Sequence, residues 1–337
     1  MSEYISLYVG CAGSGEIWTV ELNLTDGELV PRQNLRLPGL IREGGSLPLA
    51  LSPSGQRLYA ASRGEPLFVA TLDVGGDGQL THRGNTPLDA SMAYLSTDSA
   101  GRYLFTASYG DNLVSAHAID NDGMVARHLQ TIATEPHAHA ILEAPGGGHV
   151  IASSLGGDRL YVFPLGNDST PLGAPATVEF PAGTGPRHYV FNSEGNRLYV
   201  LGELDGSITT LSYDTASAAM ESLQRVHISK GSHDGYWASD IHISPCGDFL
   251  YACERNSSLL TTFRINATTG ELNYHAEHEI EQQPRGFAID PTGQFLVAAG
   301  QKSGHIAAWR LQDGELQQTA RLRVGDSPDW ITFRQPR

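Results

Sequence analysis

Short apolar segments occur in pairs along the chain, and each pair brackets a turn centred on a glycine. "LALSPSGQRLYAAS" (49–62) and "YVFNSEGNRLYVLG" (189–202) are two examples. This pattern predicts two antiparallel strands, because hairpin turns often need the positive φ that glycine adopts without a steric penalty. Six of these turn glycines align at spacings of 46 to 52 residues, namely Gly55, Gly101, Gly147, Gly195, Gly247 and Gly293.

A second kind of turn follows, and it occurs seven times, once more than the glycine hairpins. These turns are the segments 25–29, 76–80, 121–125, 167–172, 214–220, 268–272 and 312–316. The chain ends account for the extra one, because "ISLYVG" (5–10) lacks a strand before it and "WITF" (330–333) lacks one after it. The two ends together are predicted to complete a seventh unit.

Four short strands in each unit of ~40–50 residues are typical of a β-propeller. The sequence therefore predicts an all-β, seven-bladed β-propeller with four-stranded blades, in a single domain over residues 1–337. Pairing of the C-terminal strand with the N-terminal blade is expected to close the ring. The alternative, a β-sandwich, does not explain so regular a repeat. Only the segment 215–223 is expected to form a turn or two of helix.

The charge and the cysteines narrow the possible partners and the compartment. The chain carries 22 Lys and Arg against 37 Asp and Glu, a formal net charge of −15. A surface of that sign repels phosphate backbones, which argues against a nucleic-acid partner. Three cysteines without CxxC spacing fit a reducing compartment. The N-terminus lacks the basic start of a signal peptide, and no apolar run reaches the ~20 residues of a membrane helix. A cytoplasmic protein with no membrane partner is expected.

Chemically active side chains recur at two fixed offsets from the turn glycines. Eight residues before them stand Leu47, Ala93, His139, Arg187, Ser239 and Arg285, with Asp329 as the match in the split blade. Eight residues after them stand Arg63, Tyr109, Leu155, Glu203, Arg255 and Gln301. Antiparallel pairing places the start of one strand beside the end of the next. Both sets are therefore predicted to lie on one face of the propeller, near its central channel.

This face would combine one histidine, three arginines and one glutamate from different blades: His139, Arg187, Arg255, Arg285 and Glu203. Guanidinium groups in excess over carboxylates, within an acidic protein, favour a small anionic ligand. The sequence has no zinc-type histidine or cysteine pattern and no nucleotide-binding or serine-hydrolase motif. We therefore expect neither a metal nor a cofactor.

The chain resembles the β-propeller type of 6-phosphogluconolactonase, a bacterial cytoplasmic family, over nearly its full length. The resemblance is strongest in "GPRH" (185–188), "ASDIHISPCGDFLYACER" (238–255) and "QPRGFAIDPTGQFLVAAGQKSGHI" (283–306). The same superfamily includes the fungal 3-carboxy-cis,cis-muconate lactonizing enzymes. Their active-site histidine, two arginines and glutamate correspond by motif position to His139, Arg187, Arg255 and Glu203.

The resemblance implies an enzyme that hydrolyses 6-phospho-glucono-1,5-lactone to 6-phosphogluconate in the pentose phosphate pathway. Water must then attack an ester carbonyl, and Glu203 or His139 would act as general base. Arg187 would complete the catalytic set, since an arginine can stabilise the developing oxyanion. The remaining basic side chains are expected to bind the small anionic sugar lactone, and these are Arg255, Arg285, Arg63 and His188.

Three alternatives remain open at this point. A lactonizing or cycloisomerase enzyme acting on a carboxymuconate would use the same residues, with arginines spaced for carboxylates. A hydrolase of a non-phosphorylated sugar lactone is the second alternative. A non-catalytic propeller that binds a protein partner is the third, and it predicts a large apolar patch on one rim, where this sequence places mostly polar residues. The loop 230–237, in the longest repeat, is either a lid over the cluster or a tolerated insertion. The sequence leaves the oligomeric state open.

Overall fold

The computed structural model describes residues 3–334, which form β-strands joined by turns and loops. The strands of the first half are β1 (Tyr4–Cys11), β2 (Glu16–Asn23), β3 (Leu29–Arg36), β4 (Leu49–Leu51), β5 (Arg57–Ser62), β6 (Phe68–Val74), β7 (Leu80–Pro87), β8 (Met92–Thr97), β9 (Tyr103–Ser108), β10 (Leu113–Ile119), β11 (Val125–Ala133), β12 (Ala138–Glu143), β13 (His149–Ser154), β14 (Arg159–Asn167), β15 (Thr170–Leu172) and β16 (Ala176–Glu179). Those of the second half are β17 (Pro186–Phe191), β18 (Arg197–Gly202), β19 (Ser207–Ser212), β20 (Ser222–His227), β21 (Ala238–Ile243), β22 (Phe249–Glu254), β23 (Leu259–Ile265), β24 (Leu272–Glu279), β25 (Pro284–Ile289), β26 (Phe295–Gly300), β27 (His305–Gln312), β28 (Glu315–Arg323) and β29 (Pro328–Phe333).

These strands form seven antiparallel sheets, which are the blades of a seven-bladed propeller. Blade 1 has the strand order β29-β1-β2-β3, and the chain then builds blade 2 (β4–β7), blade 3 (β8–β11), blade 4 (β12–β16), blade 5 (β17–β20), blade 6 (β21–β24) and blade 7 (β25–β28). The predicted fold class is confirmed. The six turn glycines of the inner hairpins all have positive φ, between 65° and 82°, as the sequence pattern predicted.

Blade 1 is completed by both ends of the described chain. Strand β29 pairs antiparallel with β1, in a register that places Phe333 opposite Leu7 and Trp330 opposite Gly10. β29 therefore becomes the innermost strand of blade 1, and the ring is closed by backbone hydrogen bonds instead of a loop. The predicted closure is confirmed.

Blade 4 departs from the four-strand pattern at its outer edge. The outer strand is split into β15 and β16, and both pair with β14. The break between them contains Gly173 and Pro175. Proline supplies no N–H to a strand ladder, which accounts for the interruption.

The segment for which a turn or two of helix was predicted forms a single turn. Ala218 N–H donates to Asp214 O at 2.8 Å, and β20 begins at Ser222. Residues 3–334 contain no α-helix, and thus none with the length and apolar character needed to cross a bilayer.

The hydrophobic core lies between the blades and leaves the channel to other side chains. Each interface between neighbouring blades has its own apolar cluster; the one between blades 3 and 4, for example, contains Phe105, Ile141 and Phe163, all fully buried. Alternation of side chains along a strand sends successive residues to opposite faces. Seven such interfaces hold the blades in fixed positions, so residues at the inner strand ends converge on the axis.

Candidate active site

A β-bulge near the start of the inner strand positions the site residues. In blade 5, Arg187 and His188 together lie opposite a single residue of β18, Leu201. The same irregularity occurs in five other blades, and its first residues are Asp329, Ala93, His139, Ser239 and Arg285. A bulge bends the strand and re-aims a side chain. The bulge therefore leaves the residues eight before the turn glycines outside the regular strand pairing, and their side chains can point toward the channel.

Glu203 joins two arginines from neighbouring blades. Its Oε2 atom lies 2.8 Å from Arg187 Nε and 2.8 Å from Arg255 Nη2. Arg187 Nε has no hydrogen-bond partner among the described residues, so its contact with Glu203 is an ion pair. Both guanidinium groups are almost fully buried, and charged pairs of this kind are costly to break because the remaining charge is left without a partner.

Arg187 is fixed by backbone groups as well as by Glu203. One of its Nη1–H groups donates to the Ser239 carbonyl oxygen of blade 6, and its own carbonyl oxygen accepts from Ser153 Oγ–H at 2.6 Å. Burial lowers the pKa of Arg187, while Glu203 raises it. A backbone hydrogen bond to blade 4 and a side-chain hydrogen bond to blade 6 hold Arg187 at the inner end of blade 5.

Arg255 is held against the loop that enters blade 6. Its Nε–H donates to Trp237 O and its Nη2–H to Ala238 O, both at 3.1 Å. The guanidinium carbon lies 3.9 Å from the centroid of the Trp237 ring, which is a cation–π contact. Burial, together with the charge of Arg187, lowers the pKa of Arg255 to about 9. Trp237, the last residue of the candidate lid 230–237, thus packs against one side of the site.

His139 lies beside these arginines as a neutral imidazole. Its ring contacts the rings of Tyr109 (6.0 Å between centroids) and His188 (5.0 Å). Burial, followed by the nearby charge of Arg187, holds the pKa of His139 well below its usual range. Its Nδ1 atom is buried and has no hydrogen-bond partner among residues 3–334.

His188 forms a buried pair with Asp240 of blade 6. The distance from His188 Nδ1 to Asp240 Oδ1 is 2.7 Å, and Asp240 also accepts the backbone N–H groups of Ile241 (3.0 Å) and Phe287 (3.2 Å). Burial raises the pKa of the Asp240 carboxyl, but the interactions with His242 and His188 lower it by more. This pKa therefore lies well below its usual range. The pair is therefore a carboxylate with a neutral histidine, since burial and Arg187 lower the pKa of His188 to about 4.

Arg285, Arg63 and Asp329 lie on the blade 7, 2 and 1 side of the channel. Arg285 Nε is 3.7 Å from Asp329 Oδ2. Arg63 donates to two hydroxyl groups, Ser91 Oγ at 3.1 Å and Ser46 Oγ at 2.8 Å, and within residues 3–334 it forms no ion pair. Burial and the charge of Arg285 lower the pKa of Arg63 to about 10. Its direct hydrogen-bond partners are thus neutral hydroxyl groups, while the carboxylates of Asp329 and Asp111 act on it only from a distance.

Three rings meet near the axis of the propeller. Tyr94, His188 and Trp330 have centroids 5.2, 5.3 and 6.1 Å apart in pairs. They come from blades 3, 5 and 1, which are not neighbours, so their side chains can touch only by reaching across the channel.

A cavity of about 350 Å³ runs from Arg187 and Arg285 along the inner strands toward the face of the glycine turns. Glu203, Arg255 and His139 do not line it, so Arg187 and Arg285 stand between the outer rim and this cavity.

The residues that the sequence analysis placed near the channel come close together in the structure. Glu203 contacts Arg187 and Arg255, His139 contacts His188, and the charge of Arg285 acts on Arg63. Among the described residues, no group of three or more His, Cys, Asp or Glu side chains is arranged to hold a metal ion. What this arrangement can do is bind an anion and polarise an oxygen beside two neutral imidazoles.

Sequence reasoning missed Asp240, Tyr94, Trp330 and Trp237. The first three had a signal, because they and His188 stand seven residues before the turn glycine or its equivalent, one position after the series that contains Arg187. Strand alternation alone would send adjacent positions to opposite faces. The bulge is what lets both positions reach the channel. Trp237 lies in the inserted loop, for which the repeat supplies no register.

Comparison with known proteins identifies the family to which the chain belongs. Residues 4–333 match the family model described as lactonase, 7-bladed beta-propeller, and the chain belongs to that family. The 6-phosphogluconolactonases of Pectobacterium atrosepticum and Yersinia enterocolitica are 36% and 34% identical to it, over 96% and 98% of this chain and 97% and 98% of theirs. The periplasmic gluconolactonase of Pseudomonas aeruginosa has the same fold, with a TM-score of 0.90 at 24% identity over 98% of this chain and 99% of that one.

Proposed function

We propose that this protein is a 6-phosphogluconolactonase, which hydrolyses 6-phospho-glucono-1,5-lactone to 6-phosphogluconate in the pentose phosphate pathway. Membership of the lactonase family and the names of its full-length relatives support this activity. The observation that carries the substrate class is the convergence of four arginines, the buried Arg187 and Arg255 and the partly buried Arg63 and Arg285, in a chain of net charge −15. Such a cluster favours a ligand with more negative charge than a neutral sugar lactone.

The carbonyl end of the lactone lies against Arg187 and Arg255 in this proposal. Negative charge develops on the carbonyl oxygen when water attacks, and preorganised donors at that point lower the barrier. Glu203 fixes both guanidinium groups through one oxygen atom. Its role in this arrangement is to hold the two donors at one spacing, so that they need not reorganise during the reaction.

The phosphate end lies against Arg63 and Arg285. A phosphate oxygen is a better partner for a guanidinium group than a serine hydroxyl, because both partners are then charged. Arg63 has hydroxyl partners only, and the contact between Arg285 and Asp329 is long, at 3.7 Å. These two side chains are therefore available to a dianion, whereas Arg187 and Arg255 are already paired with Glu203.

An assay with three substrates tests the proposal. The purified protein is expected to hydrolyse freshly made 6-phosphogluconolactone with a kcat/KM well above that for gluconolactone or a carboxymuconolactone. Arg63→Gln should raise KM for the phosphorylated lactone by about 10- to 100-fold, the value of a charge-assisted hydrogen bond, and leave KM for gluconolactone nearly unchanged. Arg127→Gln, at an exposed position of β11, is the control. An equal effect of Arg63→Gln on both sugar lactones would exclude a phosphate contact at Arg63, and a preference for the carboxymuconolactone would exclude the sugar substrate.

The cytoplasm is the compartment that we propose for this reaction. The three cysteines, Cys11, Cys246 and Cys253, are all free thiols, which fits a reducing environment.

A further inference from the structure

Hydrolysis of a lactone needs a group that takes a proton from the attacking water. Three side chains of the site are candidates by chemistry: Glu203, His139 and His188. A general base must have a free lone pair directed at the water and must be held in one orientation. These two requirements separate the three candidates.

Glu203 is committed to other contacts. Its Oε2 atom is shared by two guanidinium groups at 2.8 Å each. Transfer of a proton to this carboxylate would leave Arg187 and Arg255 buried beside each other without their counter-charge, which is costly. The geometry therefore suits a residue that positions the arginines.

His139 and His188 each have one buried ring nitrogen without a hydrogen-bond partner among the described residues, Nδ1 in His139 and Nε2 in His188. The difference between them lies at the other nitrogen. His188 Nδ1 contacts Asp240 Oδ1 at 2.7 Å, and no carboxylate of residues 3–334 contacts His139. A carboxylate at Nδ1 keeps the proton there and leaves the lone pair on Nε2.

Asp240 itself is well anchored. It accepts the N–H groups of Ile241 and Phe287, and His242 Nε2 lies 3.2 Å from its Oδ2 atom. These contacts come from blades 6 and 7 and fix the carboxylate against His188 of blade 5. The imidazole is thus held in one tautomer and one orientation by groups that do not touch the substrate.

The space beside His188 suits a reacting water. His188, Arg187 and Arg285 line the same cavity of about 350 Å³, which can hold several water molecules. His188 and Arg187 line this cavity together, so a water held beside His188 also lies near the Arg187 guanidinium group. A lactone whose carbonyl oxygen contacts Arg187 would then present its carbonyl carbon to this water.

From this geometry we infer that His188, held by Asp240, is the general base of the lactonase reaction, and that Glu203 positions the arginines. The inference rests on the proposed function. The water oxygen bonds to the lactone carbonyl carbon while His188 Nε2 takes one of its protons. The ring C–O bond then breaks, the imidazolium returns the proton to the ring oxygen as it leaves, and the product is a hydroxy acid that loses its carboxyl proton to solvent.

The charge state of His188 follows from the groups that face it. Burial and the positive charges of Arg187 and His242 lower its pKa, Asp240 raises it, and the result is about 4; the rings of His139, Tyr94 and Trp330 pack against it. A base is active when unprotonated, so activity should fall as the pH drops through about 4. An ordinary histidine would produce this fall near pH ~6.5.

Substitution of His188 is the direct test, with 6-phosphogluconolactone as substrate. His188→Gln should lower kcat by about 10²- to 10⁴-fold with little change in KM, and the acid limb near pH 4 should disappear. Asp240→Asn should lower kcat less and move the acid limb to lower pH, because the anion that raises the pKa is gone. Glu203→Gln should act mainly on KM.

His117→Gln is the matched control. His117 is also buried, its pKa is also lowered to about 4, and its Nε2 also lacks a partner among the described residues, but it lies on β10, away from the channel. Its kcat should stay within about threefold of the unmodified protein. Melting curves and circular dichroism of each variant at each pH separate misfolding from lost chemistry.

The outcomes distinguish this inference from the proposed function. If the unmodified protein hydrolyses no lactone, the proposed function fails. If it is active and folded His188→Gln keeps its kcat, the inference fails. A loss of kcat in His139→Gln or Glu203→Gln that exceeds the loss in His188→Gln would assign the base to that residue and overturn the inference as well.

Discussion

Asp329 is a buried carboxylate whose pKa is raised although two arginines lie nearby. Burial raises the pKa to about 7, and the charges of Arg285 and Arg63 and a hydrogen bond from Leu47 N–H only partly offset it. The folded chain therefore holds a proton that the unfolded chain releases near pH ~4. Stability must fall as the pH rises between these two values, because the folded state binds more protons.

Asp329→Asn should remove this pH dependence. Asn keeps an acceptor for Leu47 N–H and has no charge to bury, so the variant should be more stable than the unmodified protein at pH 8, by about 1–4 kcal/mol. Near pH 4 the two should melt together. Thermal unfolding across this pH range measures the difference. Asp326→Asn, at an exposed position in the preceding loop, is the control, and the same gain in that variant would contradict a role for burial.

At the scale of single elements, the loop 228–237 is the part of the site with the least regular structure. It places the Trp237 ring against the Arg255 guanidinium at 3.9 Å, and Trp237 N–H donates to Glu254 Oε1 at 2.7 Å. The insertion therefore does more than extend a turn. It orients one of the two arginines that Glu203 holds.

Trp237→Ala should weaken the site without unfolding the blade. Loss of a cation–π contact is worth about 0.5–2 kcal/mol, so kcat/KM for 6-phosphogluconolactone should fall by about 2- to 30-fold while the melting temperature changes little. Trp237→Phe, which keeps an aromatic face, should recover part of the loss. Tyr274→Ala, at an exposed aromatic position of β24, is the control. Unchanged kinetics in Trp237→Ala would show that the loop does not orient Arg255.

The hairpins were predictable from the sequence, and the bulges were not. Glycine turns fix the register of each inner hairpin, so the repeat alone is enough to place Arg187 and Glu203 side by side. The pairing of His188 with Asp240 could not be predicted in this way, because it joins two blades and depends on adjacent residues of one strand facing the same way. A local backbone irregularity leaves no mark in a pattern of apolar and polar positions.

At the scale of the whole molecule, the ring is closed by β29. This strand buries Ile331 and Phe333 in the apolar cluster between blades 7 and 1 and carries Asp329 and Trp330 into the channel. The fold was predictable to this level because a repeat of fixed length with one unit divided between the ends admits few closed arrangements. The side-chain contacts across the channel were not predictable from the repeat, since they depend on how far each side chain reaches.

Removal of the chain from Pro328 onward should open the ring. β1 would become an unpaired, buried strand edge, which promotes aggregation, and the truncated protein should be insoluble or melt at a much lower temperature. Phe333→Ala is a milder variant that keeps the strand and should lose about 3–5 kcal/mol of stability while remaining soluble. A soluble truncated protein with unchanged melting would contradict closure by β29.

The bulges have a consequence for how the channel of this propeller can be redesigned. The six bulged positions carry residues as different as alanine, serine, aspartate, histidine and arginine, on one repeated backbone shape. Since each position lies outside the hydrogen-bonded ladder, exchanging its side chain leaves the pairing of the hairpin intact. A substitution at one of these positions can therefore change the chemistry of the channel without changing the strand pairing of the blade that carries it.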